Sequence, residues 1–478
     1  MESTEEMKIS VLKGDKLFNE NTPFTVNISI PPKDGSIKTY NTDLICVIDT
    51  SSSMRGKKIY QVKESLKILI NLMGKNDRLA LILFNRLAQT YFDLQYLTEK
   101  NKYKLEKEID LITINQGTNI LSGLYNAIKI IKEENLKKQN EERVTSIILL
   151  SDGCDNYNNE EQLTNSLKNL TKGLGLSFTL HTFGYGNKYD AKIMNKLASL
   201  RDGSFYYVEN YSDVSEYVVS VLGGCFSVIS QKADLKVELI KKDCNIVKVF
   251  GLEKLYNSEL KNDIFKTTIL QLVHGREYSF VLEIKINEPN IKIGEDLLNI
   301  NLDYKDIDTQ SSINENIVYK YELKSIYYQK ANEEYIRSYV YSVLDEVIQL
   351  KEKNNISEAK KLLGEIRKWI KENYKGSDKQ LIIDVDTSYG LFDKDINLAN
   401  KSMNLISSQI IQNQLKKPGS NKKYFNSAQR NYINFVSKSV ELNKIKSENI
   451  SFKPNNNNLL RSSMIFGEKQ RKILRKIE

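Results

Sequence analysis

The spacing of apolar and polar positions changes twice along this chain, and each change predicts a different architecture. From residue 42 to about 222, short apolar runs alternate with segments whose apolar residues recur at helical spacing. The runs at 44–48, 78–84, 144–150, 177–183 and 204–208 predict strands, with a short extended piece near 89–97. Helices are predicted near 56–73, 101–112, 119–134, 160–172, 190–199 and 212–222. Leu44 to Ile48 and Ile147 to Leu150 are apolar at every position, as parallel strands covered on both faces are. Strand and helix in alternation with short connections predict an α/β fold, a doubly wound, Rossmann-like sheet.

From about 227 the spacing becomes two. ISQKADLKVELIKKD, CNIVKVFGL, IFKTTILQLVHGREYSFVLEIKIN and LLNINLDYKD predict an antiparallel, β-sandwich-like unit. Residues 7–12 and 24–30 have the same half-buried strand pattern. They are expected to return and complete that unit, which makes the α/β domain an insertion. From 322 to 372 the pattern is helical, with two helices joined by a short NNIS turn and Ser357 expected as an N-cap. A third helix is expected over about 378–414. Beyond KKPGSNKK the composition predicts a short helix at 427–440 in an otherwise poorly ordered tail. The expected division is therefore 1–40 (N-terminal strands), 41–225 (α/β domain), 226–321 (β unit), 322–415 (helical hairpin region) and 416–478 (tail).

Composition removes several function classes. The 478 residues leave room for two or three cores, and the net charge of +9 is spread along the chain apart from GEKQRKILRKIE. A solvated surface is the expected role of that charge, so nucleic acid is not the expected partner. Abundant Asn, Lys, Ile and Tyr with six Pro point to a coding sequence rich in A and T, which weakens arguments built on Asn-rich turns. Cys46, Cys154, Cys225 and Cys244 lie far apart and are expected to be buried free thiols. With two histidines, His181 and His274, and no CxxC pair, a zinc site of ordinary spacing is excluded. Apolar runs are no longer than strands and MESTEEMKIS lacks the features of a secretory leader, so a soluble cytoplasmic protein is expected.

The candidate chemistry sits just past the predicted strands. Asp49, Ser51 and Ser53 occur in LICVIDTSSSM, Thr118 in NQGTNIL and Asp152 in IILLSDG. In open α/β sheets ligands bind in the crevice beyond the strand ends, where the following helix adds a positive N-terminus. Two carboxylates and three hydroxyls suit Mg2+, which takes hard oxygen donors in near-octahedral geometry; Mn2+ fits as well. Two formal negative charges leave such an ion with positive character that a partner's carboxylate would satisfy.

On these residues the chain resembles the von Willebrand factor type A domain with its metal-ion-dependent adhesion site. The family's DxSxS matches Asp49, Ser51 and Ser53, its threonine matches Thr118 and its later aspartate Asp152. Ser52 stands where the family usually has glycine. The resemblance implies that Asp49, Ser51 and Ser53 meet the ion directly or through water, Thr118 in the ligand-bound state, and Asp152 through water. LILFN, GTNILSGLYNAI, SIILLSDG, LHTFGYGNKYDAKIMNKLA, GSFYYVEN and GGCFSVISQKADLKVEL extend the likeness to intracellular A-domain proteins with a following β domain and helical hairpin, over roughly residues 5–375. Plant relatives of that arrangement carry a RING finger and are ubiquitin ligases. The first forty residues here hold neither cysteine nor histidine, so ligase activity does not carry over.

The resemblance implies a non-enzymatic binding protein or scaffold that engages an acidic residue of a protein partner through Mg2+. Two other readings stay open, a substrate-recruiting adaptor in a ubiquitin pathway and a Mg2+-dependent enzyme in which the ion polarises a substrate oxygen or activates water. No histidine stands beside either motif, and no nucleotide loop or readable Ser/His/Asp or Cys/His arrangement accompanies them. No catalytic residue and no small-molecule substrate are assigned. Asp155 and Asn119 are expected to be loop residues, His181 a packed one, and Trp369, Tyr339 and Tyr341 core positions of the hairpin. The glycines of GYGN at 184–187 are expected to form a turn.

Overall fold

The computed structural model describes residues 7–31, 41–137, 143–172, 175, 177–185, 190–208, 211–252, 255–286, 291–307, 309–323, 327–374 and 379–392. The chain begins with β1 (Lys8–Lys13) and β2 (Thr22–Ser29). It then enters an α/β segment: β3 (Thr42–Asp49), α1 (Lys57–Leu72), β4 (Arg78–Phe84), β5 (Ala88–Tyr96), α2 (Glu99–Asp110), α3 (Ile120–Leu136), β6 (Val144–Ser151), α4 (Glu160–Thr171), β7 (Thr179–Tyr185), α5 (Ala191–Ser199), β8 (Phe205–Val208) and α6 (Tyr211–Phe226).

These strands form one sheet in the order β5-β4-β3-β6-β7-β8, parallel except for β5, which runs back along β4. Alternate residues of β3 serve two cores. Leu44, Cys46 and Ile48 face the layer of α1, α2 and α6, whereas Ile45 and Val47 face α3, α4 and α5. An unbroken apolar strand is stable only when helices cover both of its sides. From β3 the chain moves outward to β4 and β5, then returns to place β6 on the other flank of β3. The order reverses between β3 and β6, so their C-terminal ends bound the crevice.

The rest of the β structure comprises β9 (Val228–Ser230), β10 (Ala233–Leu239), β11 (Asn245–Val249), β12 (Glu259–Lys261), β13 (Ile264–Ile269), β14 (Leu272–Val273), β15 (Glu277–Lys285), β16 (Asp296–Lys305) and β17 (Ser312–Lys320). One sheet runs β1-β2-β15-β11 and another β12-β13-β10-β16-β17. Residues of both, among them Phe24, Val26, Leu282, Leu235 and Ile300, share a single core. The N-terminal strand β2 pairs antiparallel with β15 along its whole length, Thr22 to Ser29 against Ile284 to Glu277. The α/β segment thus lies in sequence between strands of one sheet.

Specific contacts join the α/β segment to the β structure and to the helices that follow. Arg201 is buried with its guanidinium 3.8 Å from the Phe178 ring centre and 4.6 Å from that of Tyr256. Its neighbour Asp202 accepts a hydrogen bond from the Leu270 amide. Burial raises the Asp202 carboxyl above its ordinary range, although that bond and the nearby Arg276 and Arg201 oppose it. Helices α7 (Tyr328–Glu352) and α8 (Ile356–Asn373) form an antiparallel hairpin with its own core, joined by α9 (Lys379–Phe392). Phe18, from the loop between β1 and β2, stacks on Tyr339 and contacts Trp369. Tyr335 donates to Glu283 of β15 at 2.7 Å. Lys192 of α5 pairs with Glu160 and with Glu352 at the end of α7.

The structure corrects three local expectations. Ser357 does not cap α8: the helix begins at Ile356 behind Asn355, because Asn354 takes a left-handed conformation (φ 62°) and closes the turn earlier. Cys154 is exposed, while Cys46, Cys225 and Cys244 are buried, and all four are free. It lies beyond β6, after Gly153 (φ 73°) has turned the chain out of the sheet. Strand β7 also runs on through Gly184 and Tyr185, where a turn is expected; the rest of GYGN, the expected continuation of α9 to 414, the helix at 427–440 and the tail at 416–478 lie outside the described residues.

Candidate metal centre

Asp49 is the last residue of β3, and the chain leaves it through a short 3-10 turn, Ser52–Met54, before entering α1. Backbone bonds tie this loop to its neighbours. The Thr50 amide and hydroxyl both donate to the Phe84 carbonyl, at 2.8 and 2.9 Å, and the Asn115 amide donates to the Thr50 carbonyl at 2.7 Å. Asn119 N–H reaches the Asn85 carbonyl at 2.7 Å, and the Asp190 amide reaches the Asp152 carbonyl at 2.9 Å. The loops after β3 and β4 are thereby tied to the loop before α3, the loop after β6 is tied to the start of α5, and the Asn156 amide on the Thr118 carbonyl joins the two groups into one frame. Gly117, before Thr118, has φ 81°, and an added Cβ would stand 3.3 Å from Arg86 Cβ and 3.4 Å from the Tyr157 hydroxyl. Glycine is required there both for its conformation and for the close approach of these loops.

The five residues occupy this frame in different ways. Asp49 is fully buried; its Oδ1 accepts from the Ser51 amide at 2.8 Å and its Oδ2 from the Ser151 hydroxyl at 2.5 Å. Burial pushes its carboxyl up to about 6, against the pull of those hydrogen bonds and with a smaller push from Asp152. Ser51 is buried and Ser53 exposed, and their hydroxyl oxygens are 2.9 Å apart. Thr118 is buried; its amide donates to Asn156 Oδ1 and its carbonyl accepts from the Asn156 amide, both at 2.9 Å. Its hydroxyl makes no hydrogen bond among the described residues. The Asp152 side chain is 1% exposed, with Oδ2 2.7 Å from the Lys58 ammonium.

Asp155 holds the frame from the side. Its Oδ2 accepts from the Ile120 amide at 2.7 Å and its Oδ1 from the amides of Tyr157 and Asn158, while the Asn119 side chain caps α3. Both orient the start of α3, directly after Thr118. His181 lies within β7 and accepts from the Ser204 amide at 3.1 Å; burial and the nearby Arg276 push its imidazole down to about 3. It is a neutral packed residue. Although Cys154 is an exposed residue, partial desolvation of its thiol, with help from Asp152 and Asp190, pushes it up to about 11.

Two residues of this centre escaped the sequence reading. Ser151 precedes Asp152 in LLSDG, and its hydroxyl was legible only as the end of an apolar strand. Lys58 is the second residue of α1, and a helix starting at 57 places it over the strand ends. Among the described residues no group of three or more His, Cys, Asp or Glu could hold a metal, so a site here depends on hydroxyls. All five candidate side chains offer oxygen, the donor set of a hard divalent cation.

Comparison with known proteins bears on the fold that carries these loops. Residues 43–219 match the von Willebrand factor type A domain family. An uncharacterised protein of Synechocystis is 28% identical over 209 residues, 43% of this chain and 47% of its own. Human inter-alpha-trypsin inhibitor heavy chain H1 is 24% identical over 274 residues, 54% of this chain and 29% of its own. The chain spans less than half the length of these curated relatives. Among solved structures, a von Willebrand factor type A protein from Catenulispora acidiphila matches 87% of this chain and 99% of its own with a TM-score of 0.62 at 12% identity. The ArnB paralog VWA2 from Sulfolobus acidocaldarius matches the same shares with a TM-score of 0.52 at 16% identity. The shared fold therefore extends beyond the α/β segment.

Proposed function

Residues 43–219 are a von Willebrand factor type A domain, and from that premise we propose that the chain is a non-enzymatic binding protein that grips an acidic residue of a partner protein at the strand-end centre. The observation that carries this reading is the burial of Asp49 and Asp152 at the ends of adjacent strands, with the Ser151 hydroxyl on Asp49, the Ser51 and Ser53 hydroxyls 2.9 Å apart in the loop that follows it, and the Lys58 ammonium on Asp152. Burying a carboxylate is costly unless a counter-charge accompanies it. Asp49, Ser51, Ser53, Thr118 and Asp152 would hold Mg2+, with Mn2+ as the alternative occupant. When bound, the ion supplies positive charge and a coordination place for the partner's carboxylate.

The chain's own residues prepare that encounter. Ser151 and the Ser51 amide fix both oxygens of Asp49, and Asn156 fixes the backbone of Thr118. Exposed Arg55 and Arg86 stand on the rim, where acidic residues flanking the gripped one would be favoured. We assign residues 41–225 to the binding domain, 1–40 and 226–321 to a β domain interrupted by it, and 322–415 to a helical brace. The pairing of β2 with β15 supports that division. Among the described residues no helix is long and apolar enough to cross a membrane.

The test is capture of a partner from the native extract in millimolar Mg2+, repeated with chelator and with Asp49→Ala and Asp152→Ala chains shown to be folded. Capture should disappear in all three. Capture that survives both the chelator and the two substitutions would overturn the metal-bridged mechanism.

A further inference from the structure

We propose that Lys58 is a built-in competitor for the divalent ion, a tethered ammonium that must leave Asp152 before the ion can use that carboxylate, and that it thereby sets the affinity of the centre. This inference rests on the metal reading above and concerns how the same site is regulated. Lys58 Nζ lies 2.7 Å from Asp152 Oδ2, and the carboxylate side chain is 1% exposed. Its other oxygen receives only a long bond, 3.4 Å, from the Cys154 amide. The ammonium is thus the principal partner of a buried charge.

Helix electrostatics do not explain the placement of this lysine. Lys57 and Lys58 open α1, where the macrodipole disfavours cations, and no acidic residue lies in that first turn. The pair with Asp152 offsets that penalty. The lysine side chain keeps 21% of its surface exposed, and among the described residues this is its one ion pair, so its head can swing into water by losing a single partner. Asp49, by contrast, is held by neutral donors, the Ser51 amide and the Ser151 hydroxyl. One carboxylate is therefore guarded and the other is not. An incoming divalent ion exchanges one charge–charge contact for another at Asp152, and its net gain is reduced by the contact it breaks.

Lys58→Met keeps the length of the stem and removes the charge. The full chain and its Lys58→Met, Lys58→Gln and Lys58→Arg variants are titrated with Mn2+ by calorimetry, and the thermal midpoint of each is followed in chelator and in Mn2+. Removing one positive charge some 6 Å from the ion should tighten Mn2+ binding by about tenfold in the Met and Gln variants. Those variants should also lose thermal stability in chelator and gain more from Mn2+ than the native chain. Lys58→Arg, which keeps the charge, should stay near the native affinity. A native chain that binds Mn2+ with Met and Gln variants of equal or weaker affinity overturns the competitor role and leaves the metal reading standing. Binding by none of the folded chains overturns both.

Discussion

The Ser151 hydroxyl donates to Asp49 Oδ2 across 2.5 Å, joining the ends of two neighbouring parallel strands at the mouth of the crevice. This bond orients a carboxylate that is wholly removed from water. Even with a second donor, the Ser51 amide, burial holds the Asp49 carboxyl at about 6. The folded chain free of divalent ions therefore keeps a proton on Asp49 between about pH 4 and pH 6 that the unfolded chain has released. Its stabilisation from this group is complete below pH 4 and is lost as the pH rises through 6. Asp49→Asn cannot ionise and keeps an oxygen for the Ser51 amide. In chelator at pH 7.5 it should be more stable than the native chain by up to about 3 kcal/mol, and the difference should vanish at pH 4. Urea denaturation at the two pH values checks this; a loss of stability at pH 7.5 would show that burial does not dominate at Asp49.

The same proton competes with the ion. Binding at Asp49 must displace it whenever the pH lies below its folded value, so Mn2+ affinity should be flat above pH 7 and fall by about tenfold per unit below pH 6. Calorimetry in buffers of different ionisation heat should detect close to one proton released at pH 5 and almost none at pH 7.5. Proton release that does not change with pH would place the ion away from Asp49.

Gly123 sets how closely α3 lies on the sheet. An added Cβ would stand 2.7 Å from Val47 Cγ1 and 3.0 Å from Phe84 Cδ1, both in the core. Gly123→Ala should destabilise the chain by about 1–3 kcal/mol through overpacking. Because α3 starts two residues after Thr118, the displaced helix should also carry Thr118 outward and weaken Mn2+ binding. Denaturation and Mn2+ titration of the same sample separate the two effects, and an unchanged affinity would mean that Asn156 alone positions Thr118.

The central sheet was legible because its strands are apolar at every position and its helices have one apolar face, patterns that only a two-sided sheet satisfies. DxSxS and LLSDG, past strand ends, and GTN, at the start of α3, were legible because such loops carry few side chains and these were all oxygen donors. Ser151 and Lys58 were not. The pattern counts Ser151 as part of a strand, and the partner of Lys58 lies far along the chain, so only folding brings ammonium and carboxylate together. Asn355 replaced Ser357 at the start of α8 because the left-handed Asn354 set the phase, and backbone handedness at a turn leaves little trace in composition. Cys154 was misplaced by treating cysteines as a class, when Gly153 had already turned the chain to the surface.

At the opposite end of β3, Asp43 joins two guanidinium groups. It accepts from Arg78 Nε at 2.8 Å and Nη2 at 2.5 Å and from Arg143 Nε at 2.6 Å, and all three side chains are nearly buried. Removing the shared carboxylate takes from Arg143 its ion pair to Asp43 and leaves Arg78 paired, among the described residues, with Glu134. Asp43→Ala should therefore destabilise the chain by about 3–5 kcal/mol, the range for breaking a buried pair from one side. Asp43→Asn, which keeps an acceptor oxygen, should lose less. Six residue steps of extended strand separate Asp43 from Asp49, about 20 Å at the rise of a β-strand. Mn2+ affinity of the folded Asp43→Ala chain should consequently stay native while its denaturation midpoint falls. Weakened binding in a chain that remains folded would mean that strain at the base of β3 reaches the metal loops, so that the sheet does not isolate the centre from its far end.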